Sequence, residues 1–226
     1  MKYLMLAMLI AASPAFAASN YLGGMSGMIL IPDDVIVPHK SIDFSFHESV
    51  HAIGDVDLFA WGANYGLAKN LEAGVSVLNN SGATDIAING KYRFVQENES
   101  SPAVLVGVFD AAGLVDIVNP NASLYILASK NISSEVSQIE GAPCGPIRLS
   151  LGIGSGVYNG IFGGVDWTPS SRWRVMAEYA NGTFGDEEKL LNLGVRYAVA
   201  DKWRLDAAAL KLKHLAFGVN YRVEIE

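Results

Sequence analysis

Three histidines fall close together in this chain, His39, His47 and His51, with Glu48, Asp55 and Asp57 beside them. Imidazole and carboxylate groups are ligand types for a metal ion. On an extended chain residues 47, 49 and 51 share a face, so His47 and His51 would approach each other, with Asp55 as a third ligand across a turn. A polar loop tip that carries histidines is the plainer reading, and no metal or other cofactor is expected. Carboxylates occur between Asp166 and Glu178, but none form a defensible acid/base pair. Serines are plentiful, yet no G-x-S-x-G elbow occurs and His214 opens an extended segment without a placed partner. Cys144 is the single cysteine, so no internal disulfide is available, and it is read as incidental. Asp186-Glu187-Glu188 reads as a solvated loop tip. No catalytic residue is expected, and the chain is read as non-enzymatic.

Eight other charged residues share a pattern: Arg93, Arg148, Arg174, Glu178, Arg196, Arg204, Asp206 and Arg222 each alternate with apolar neighbours. Either they pair and fill an interior, or they line a narrow anion-favouring path. Pairing is the reading adopted.

The elements that would hold them are strands. In the last segment Leu215, Phe217, Val219, Tyr221, Val223 and Ile225 lie on one face, and Ala216, Gly218, Asn220, Arg222, Glu224 and Glu226 on the other. This period-two alternation recurs almost to the end of the chain, while helical periodicity is nearly absent. About twelve strands are expected, within a range of roughly 10–14. Their spans are 41–49, 56–66, 70–78, 84–95, 103–110, 122–131, 146–156, 160–168, 172–181, 189–198, 202–211 and 213–225. An even count of strands of ~9–11 residues suits a single-chain barrel that crosses a membrane.

A short repeat supports the same architecture. Gly164-Val-Asp-Trp167 recurs as Gly194-Val-Arg-Tyr197, Gly218-Val-Asn-Tyr221 and, more loosely, Gly62-Ala-Asn-Tyr65. Each closes an even-numbered strand, and two lead through short turns to Trp173 and Trp203. Aromatic rings at one end of the hairpins form a girdle at one membrane interface. Short turns at that end place it, and both termini, on the periplasmic side. The long stretch from Asn131 to Gly145 fits that side less well.

Composition separates a membrane barrel from a soluble sandwich. Only 17% of residues are charged, although 50% are hydrophobic. The non-apolar face is rich in Gly, Ala, Ser and Asn, which suits a crowded lumen better than a wet surface. A formal charge of −7 argues against nucleic acid as a partner.

The N-terminus reads as an export signal. Lys2 precedes an uncharged apolar run from Leu4 to Ala12, then Ala15-Phe16-Ala17 forms an A-x-A cleavage site. The expected organisation is a cleaved signal peptide at 1–17, a periplasmic N-terminal segment at 18–40, and one closed antiparallel barrel at 41–226.

The start of the mature chain, Gly23-Gly24-Met-Ser-Gly27-Met-Ile29-Leu-Ile31-Pro32, leads to Val35-Ile-Val-Pro38 and then the first strand. Together with Phe162-Gly-Gly-Val-Asp-Trp-Thr-Pro169, Arg174-Val-Met-Ala-Glu-Tyr179 and Leu193-Gly-Val-Arg-Tyr197, it resembles the YjbH-type outer-membrane proteins associated with exopolysaccharide production. That resemblance implies a non-enzymatic accessory in exopolysaccharide or envelope biogenesis or export. Its expected partners are outer-membrane lipid and polysaccharide or envelope export proteins. A passive small-solute channel and a secreted soluble ligand-binding β-protein are the alternatives.

Overall fold

A computed structural model describes residues 18–53, 56–117, 121–133, 145–181 and 189–225. Among them the chain forms β1 (Ser41–Ile53), β2 (Val56–Ala68), β3 (Leu71–Asn80), β4 (Ala83–Val95), β5 (Ala103–Phe109) and β6 (Ser123–Asn131). Then follow β7 (Ile147–Gly154), β8 (Gly160–Ser170), β9 (Trp173–Asn181), β10 (Lys189–Ala198), β11 (Trp203–Leu210) and β12 (His214–Glu224). Each strand pairs antiparallel with its sequence neighbours, and β1 pairs with β12, so the sheet closes into a barrel. At this seam Ser41 faces Glu224 and Ser49 faces Ala216. Closure gives every edge amide a partner, which a sheet in lipid requires.

The fold is the all-β, twelve-strand closed barrel expected from the alternation, with ends displaced by a few residues. The largest change is at β1, which runs on to Ile53. There the register with β2 shifts between Ser49 and Ile53, and His51 adopts φ 52°. This irregularity breaks the alternation that would have put His47 and His51 on one face.

The outer wall is apolar. Ile86, Ile88, Leu151, Ile153, Leu193 and Phe217 are all exposed on it. A water-soluble barrel does not carry an apolar surface of this extent, whereas lipid covers it without cost. Trp173 stacks beside Tyr197 at 4.5 Å, and Trp203 beside Tyr221 at 4.4 Å. Both are cross-strand neighbours at the end where even-numbered strands finish, hereafter the girdle end.

The segment before β1 is where structure and expectation part. Residues 18–37 do not stand outside the barrel as a periplasmic segment. They run inside it, and every residue from Ala18 to Asp34 is buried. A small antiparallel fold with bridges Ser19–Ser26 and Gly27–Pro32 organises this insert. The physical reason is its composition. Tyr21, Leu22, Met25, Met28, Ile29, Leu30 and Ile31 need an apolar site, and a barrel of this size has interior volume to fill. The expected signal peptide, Asp55, Cys144, Asp186-Glu187-Glu188 and most of the 131–145 stretch lie outside the described residues.

Candidate functional site

The repeat at the ends of the even strands builds the site. In each copy the first residue, a glycine, and the third, a polar residue, point inward, while the aromatic faces the other way. The glycines make room. A Cβ on Gly164 would lie 2.7 Å from the Met28 sulfur, and one on Gly194 2.8 Å from Ile29 Cδ1. At Gly62 it would strike the backbone carbonyl of Gly23, itself at φ 68°. At Gly218 the neighbour is the His47 ring instead.

Three of the third residues, Asn64, Arg196 and Asn220, then grip the insert, and the fourth, Asp166, pairs with a wall arginine. Asn64 Nδ2 donates to Ser19 Oγ at 2.7 Å, and the Ser19 amide donates to Asn220 Oδ1 at 3.1 Å. Arg196 donates to the carbonyls of Gly27, Ser19 and Met28 at 3.1, 3.2 and 3.3 Å while pairing with Asp206 at 2.8 Å. Asp166 accepts from Arg174 at 3.0 Å.

Two carboxylates on opposite walls, six strands apart, hold amides of the insert. Glu178 accepts from the amides of Ile29, Leu30 and Ile31 at 3.0, 2.7 and 3.3 Å, and from Asn192 at 2.8 Å. Glu72 accepts from the Ser26 amide and hydroxyl at 2.8 and 2.6 Å and from the Val37 amide at 2.8 Å. Lys91 donates to the carbonyls of Ser26, Asp33 and Val35 at 2.7, 3.1 and 2.6 Å. Buried groups of this kind are tolerable only when so fully partnered.

The lumen is not uniform, and its charges gather toward the girdle end. Toward the far end Leu58, Leu78, Leu190 and Leu210 line the wall, and with Leu105, Leu127 and Met176 they form one apolar cluster with the insert. Phe109 at the end of β5 and Val115, Val157 and Tyr158 in the connections beyond it belong to the same cluster. Asp110 holds the Val115 amide at 2.8 Å, and Asp85 holds those of Asp116 and Ile117 at 2.7 and 2.8 Å. A uniformly small or polar interior was expected, and the apolar lining corrects that.

All eight charges singled out from the sequence face the interior. Arg174, Glu178, Arg196, Arg204, Asp206 and Arg222 are buried, and Arg93 and Arg148 sit nearer the mouth. Arg222 pairs with Asp43 through two contacts of 2.7 and 2.8 Å, and Arg204 lies across from Asn220 on β12. Arg148 bridges Asp34 at 2.9 Å and Glu97 at 2.7 Å, and Arg93 donates to the Asp34 carbonyl at 3.1 Å. Asp33, Asp34, Asp43, Glu72, Lys91 and Asp166 complete the set and were not singled out. Parity alone puts Lys91 beside Arg93 on the inner face of β4.

The histidines separate. His47 is buried in the lumen, 3.4 Å from Asp206 and 4.6 Å from the Tyr21 ring, so it is no loop tip. His51 stands exposed beside Asp57 at 3.7 Å, and His39 meets the Gly66 carbonyl at 3.3 Å.

A family model described as YjbH, exopolysaccharide biosynthesis protein YbjH, matches residues 49–226. The match includes the motifs at 162–179 and 193–197 and begins within β1, after the insert. Among solved structures, the KdgM porin superposes with a TM-score of 0.53 at 12% identity, over 82% of this chain and 99% of that one. The KdgM porin in complex with disordered oligogalacturonate gives 0.54 at 12% identity over the same shares. The Acinetobacter baumannii outer membrane protein Omp33 gives 0.48 at 9% identity, over 82% of this chain and 98% of that one. The two KdgM likenesses are of fold, that of outer-membrane barrels. No curated protein sequence matches the chain.

Proposed function

The chain belongs to the YjbH family of exopolysaccharide biosynthesis proteins, and on that premise we propose that it is a non-enzymatic, normally closed outer-membrane barrel serving exopolysaccharide or envelope export. The observation that carries this reading is the filled lumen. Tyr21, Leu22, Met25, Met28, Ile29, Leu30 and Ile31 are buried almost completely. At roughly 1.5–3 kcal/mol per side chain they hold the insert by roughly 10–20 kcal/mol before any polar contact is counted. A loosely tethered plug that drifts in and out would not bury so much. The insert is instead part of the core, and the barrel serves as a fixed envelope element.

The girdle end is assigned to the periplasm, with both termini there. Support comes from the aromatic pairs and from the short turns at Ser170–Trp173 and Ala68–Leu71.

Planar-bilayer recording tests the closed state. The purified full chain should show no steady conductance. A stable ohmic step would instead favour the passive small-solute channel. In the host, deletion of the gene should reduce released exopolysaccharide, with the full chain restoring it. Unchanged release would overturn the envelope role. Orientation is read by cysteine labelling in intact cells in a Cys144→Ser background. Lys213→Cys should react with an impermeant maleimide and Lys202→Cys should not.

A further inference from the structure

The Asp33-Asp34 turn is the acidic part of the insert, and it meets four cations of the barrel wall. Asp33 lies 2.9 Å from Arg174 and 3.7 Å from Lys91. Asp34 lies 2.9 Å from Arg148, and its carbonyl accepts from Arg93 at 3.1 Å. The wall supplies its own counter-charges. Lys91 has Glu72 at 3.6 Å, Arg148 has Glu97 at 2.7 Å, and Arg174 has Asp166 at 3.0 Å. Four cations thus face three wall carboxylates, and the two aspartates turn a small positive excess negative. The wall does not need both of them for neutrality.

Two polar atoms in this patch are buried without a hydrogen-bond partner, Nη1 of Arg174 and Oδ1 of Asp34. The Arg174 side chain is only 3% exposed. A buried donor without an acceptor costs about 1–3 kcal/mol, so the patch is incompletely satisfied by the turn that occupies it. It also lies near the mouth, where the side chains of Arg148 and Glu97 keep 16% and 17% of their exposure. Burial pushes the Asp34 carboxyl above its ordinary value despite Arg148, so its charge is held there at a cost. Residues 29–31 of the insert are anchored separately, by Glu178.

We propose that this girdle-end patch is a binding site for a carboxylate-bearing glycan, a uronic acid polymer, and that the Asp33-Asp34 turn is its built-in competitor. The inference rests on the reading of the barrel as an envelope polysaccharide accessory. The exchange replaces carboxylate by carboxylate at Arg148, Arg174 and Lys91, while sugar hydroxyls offer acceptors to Arg174 Nη1. A neutral glycan cannot replace the two charges. Free phosphate or an acidic peptide shares the anionic chemistry without the array of hydroxyls.

The test uses the full chain in detergent, titrated calorimetrically with oligogalacturonate and followed by amide hydrogen exchange. Oligogalacturonate should bind and speed exchange at residues 33–35 while residues 29–31 stay protected. Asp34→Asn, which removes a competing carboxylate, should tighten binding about tenfold. Arg148→Gln and Arg93→Gln, at the mouth and easier to fold than a variant of Arg174, should each weaken it about tenfold. Neutral dextran oligomers should not bind. Absence of oligogalacturonate binding, an unaltered affinity in Asp34→Asn, or unchanged exchange at 33–35 would overturn the proposal. Equal competition by inorganic phosphate or poly-glutamate would overturn its assignment to a glycan. A barrel that stays non-conducting and supports export yet binds no uronate sinks this inference alone, whereas conductance or normal release in the deletion strain sinks the reading beneath it.

Discussion

The Glu178 carboxylate lies 2.7 Å from the amide nitrogen of Leu30, a residue 148 positions earlier in the chain. It holds the amides on either side of Leu30 as well. One wall residue therefore satisfies three consecutive donors of a strandless segment, in the way a nest of amides holds an anion.

Glu178→Gln keeps the shape but halves the acceptors and turns an amide donor toward other donors. It should cost about 2–4 kcal/mol. The readouts are a lower midpoint temperature for heat-modified migration on gels and faster exchange at residues 29–31. Unaltered protection there would sink the anchoring role.

The repeat glycines should differ in tolerance. Gly62→Ala drives a methyl into the Gly23 carbonyl, a backbone atom that cannot rotate away. Gly194→Ala meets chiefly the end of the Ile29 side chain, with the nearest backbone oxygen, that of Ala207, at 3.4 Å. The first should loosen the insert and expose residues 20–25 to exchange, at about 1–3 kcal/mol. The second should fold with a change below about 1 kcal/mol, since a side-chain end can shift where a backbone carbonyl cannot.

Arg196 and Asp206 are both fully buried. Replacing either alone strands a charge, so Arg196→Met and Asp206→Leu should each cost about 3–5 kcal/mol. The double variant should recover a large part of the sum of the two losses. Additive losses in a thermal-unfolding cycle would contradict the pairing.

The two aspartates of the turn should respond oppositely to pH. Burial alone would raise Asp33, but Arg174 and Lys91 hold its carboxyl below the ordinary value. Its contribution is therefore complete above the unfolded carboxylate value and is lost as pH falls through the lower folded one. Asp34, raised by burial, subtracts stability at neutral pH and stops doing so as acid protonates it. Asp33→Asn should thus destabilise at neutral pH and converge with the parent in strong acid. Asp34→Asn should be neutral or stabilising at neutral pH. Unfolding midpoints measured across the carboxylate range separate the two.

Strand number, strand order and the inward charges were legible because a period of two survives any uncertainty about strand ends. The inward direction of Arg174 or Asp206 follows from Trp173 and Leu205 facing lipid. The insert was not legible, for it has neither a period of two nor one of 3.6. A signal existed all the same. Met28-Ile-Leu-Ile31 is an apolar run that no lipid-facing strand claims, and it has to be buried somewhere. Leu58, Leu78, Leu105 and Leu190 carry the complementary signal, as large apolar side chains on the face expected to be polar. His47 was misplaced for a different reason, since only the irregularity at His51 shows where the inner face of β1 ends.

The seam between Ser41 and Glu224 sets an order of events. Of the twelve pairings in the ring, this is the one whose partners are farthest apart in sequence, so it carries the largest loop-closure entropy and forms late. The insert precedes β1 directly and leaves the ribosome before any strand. Its amides must wait for Glu178 on β9 and its Ser19 for Asn220 on β12, so it stays unsatisfied until synthesis is almost complete. A chain cut short of β12 would therefore lack both its wall and its filling, and quality control in the envelope would meet one exposed apolar segment together with one open edge.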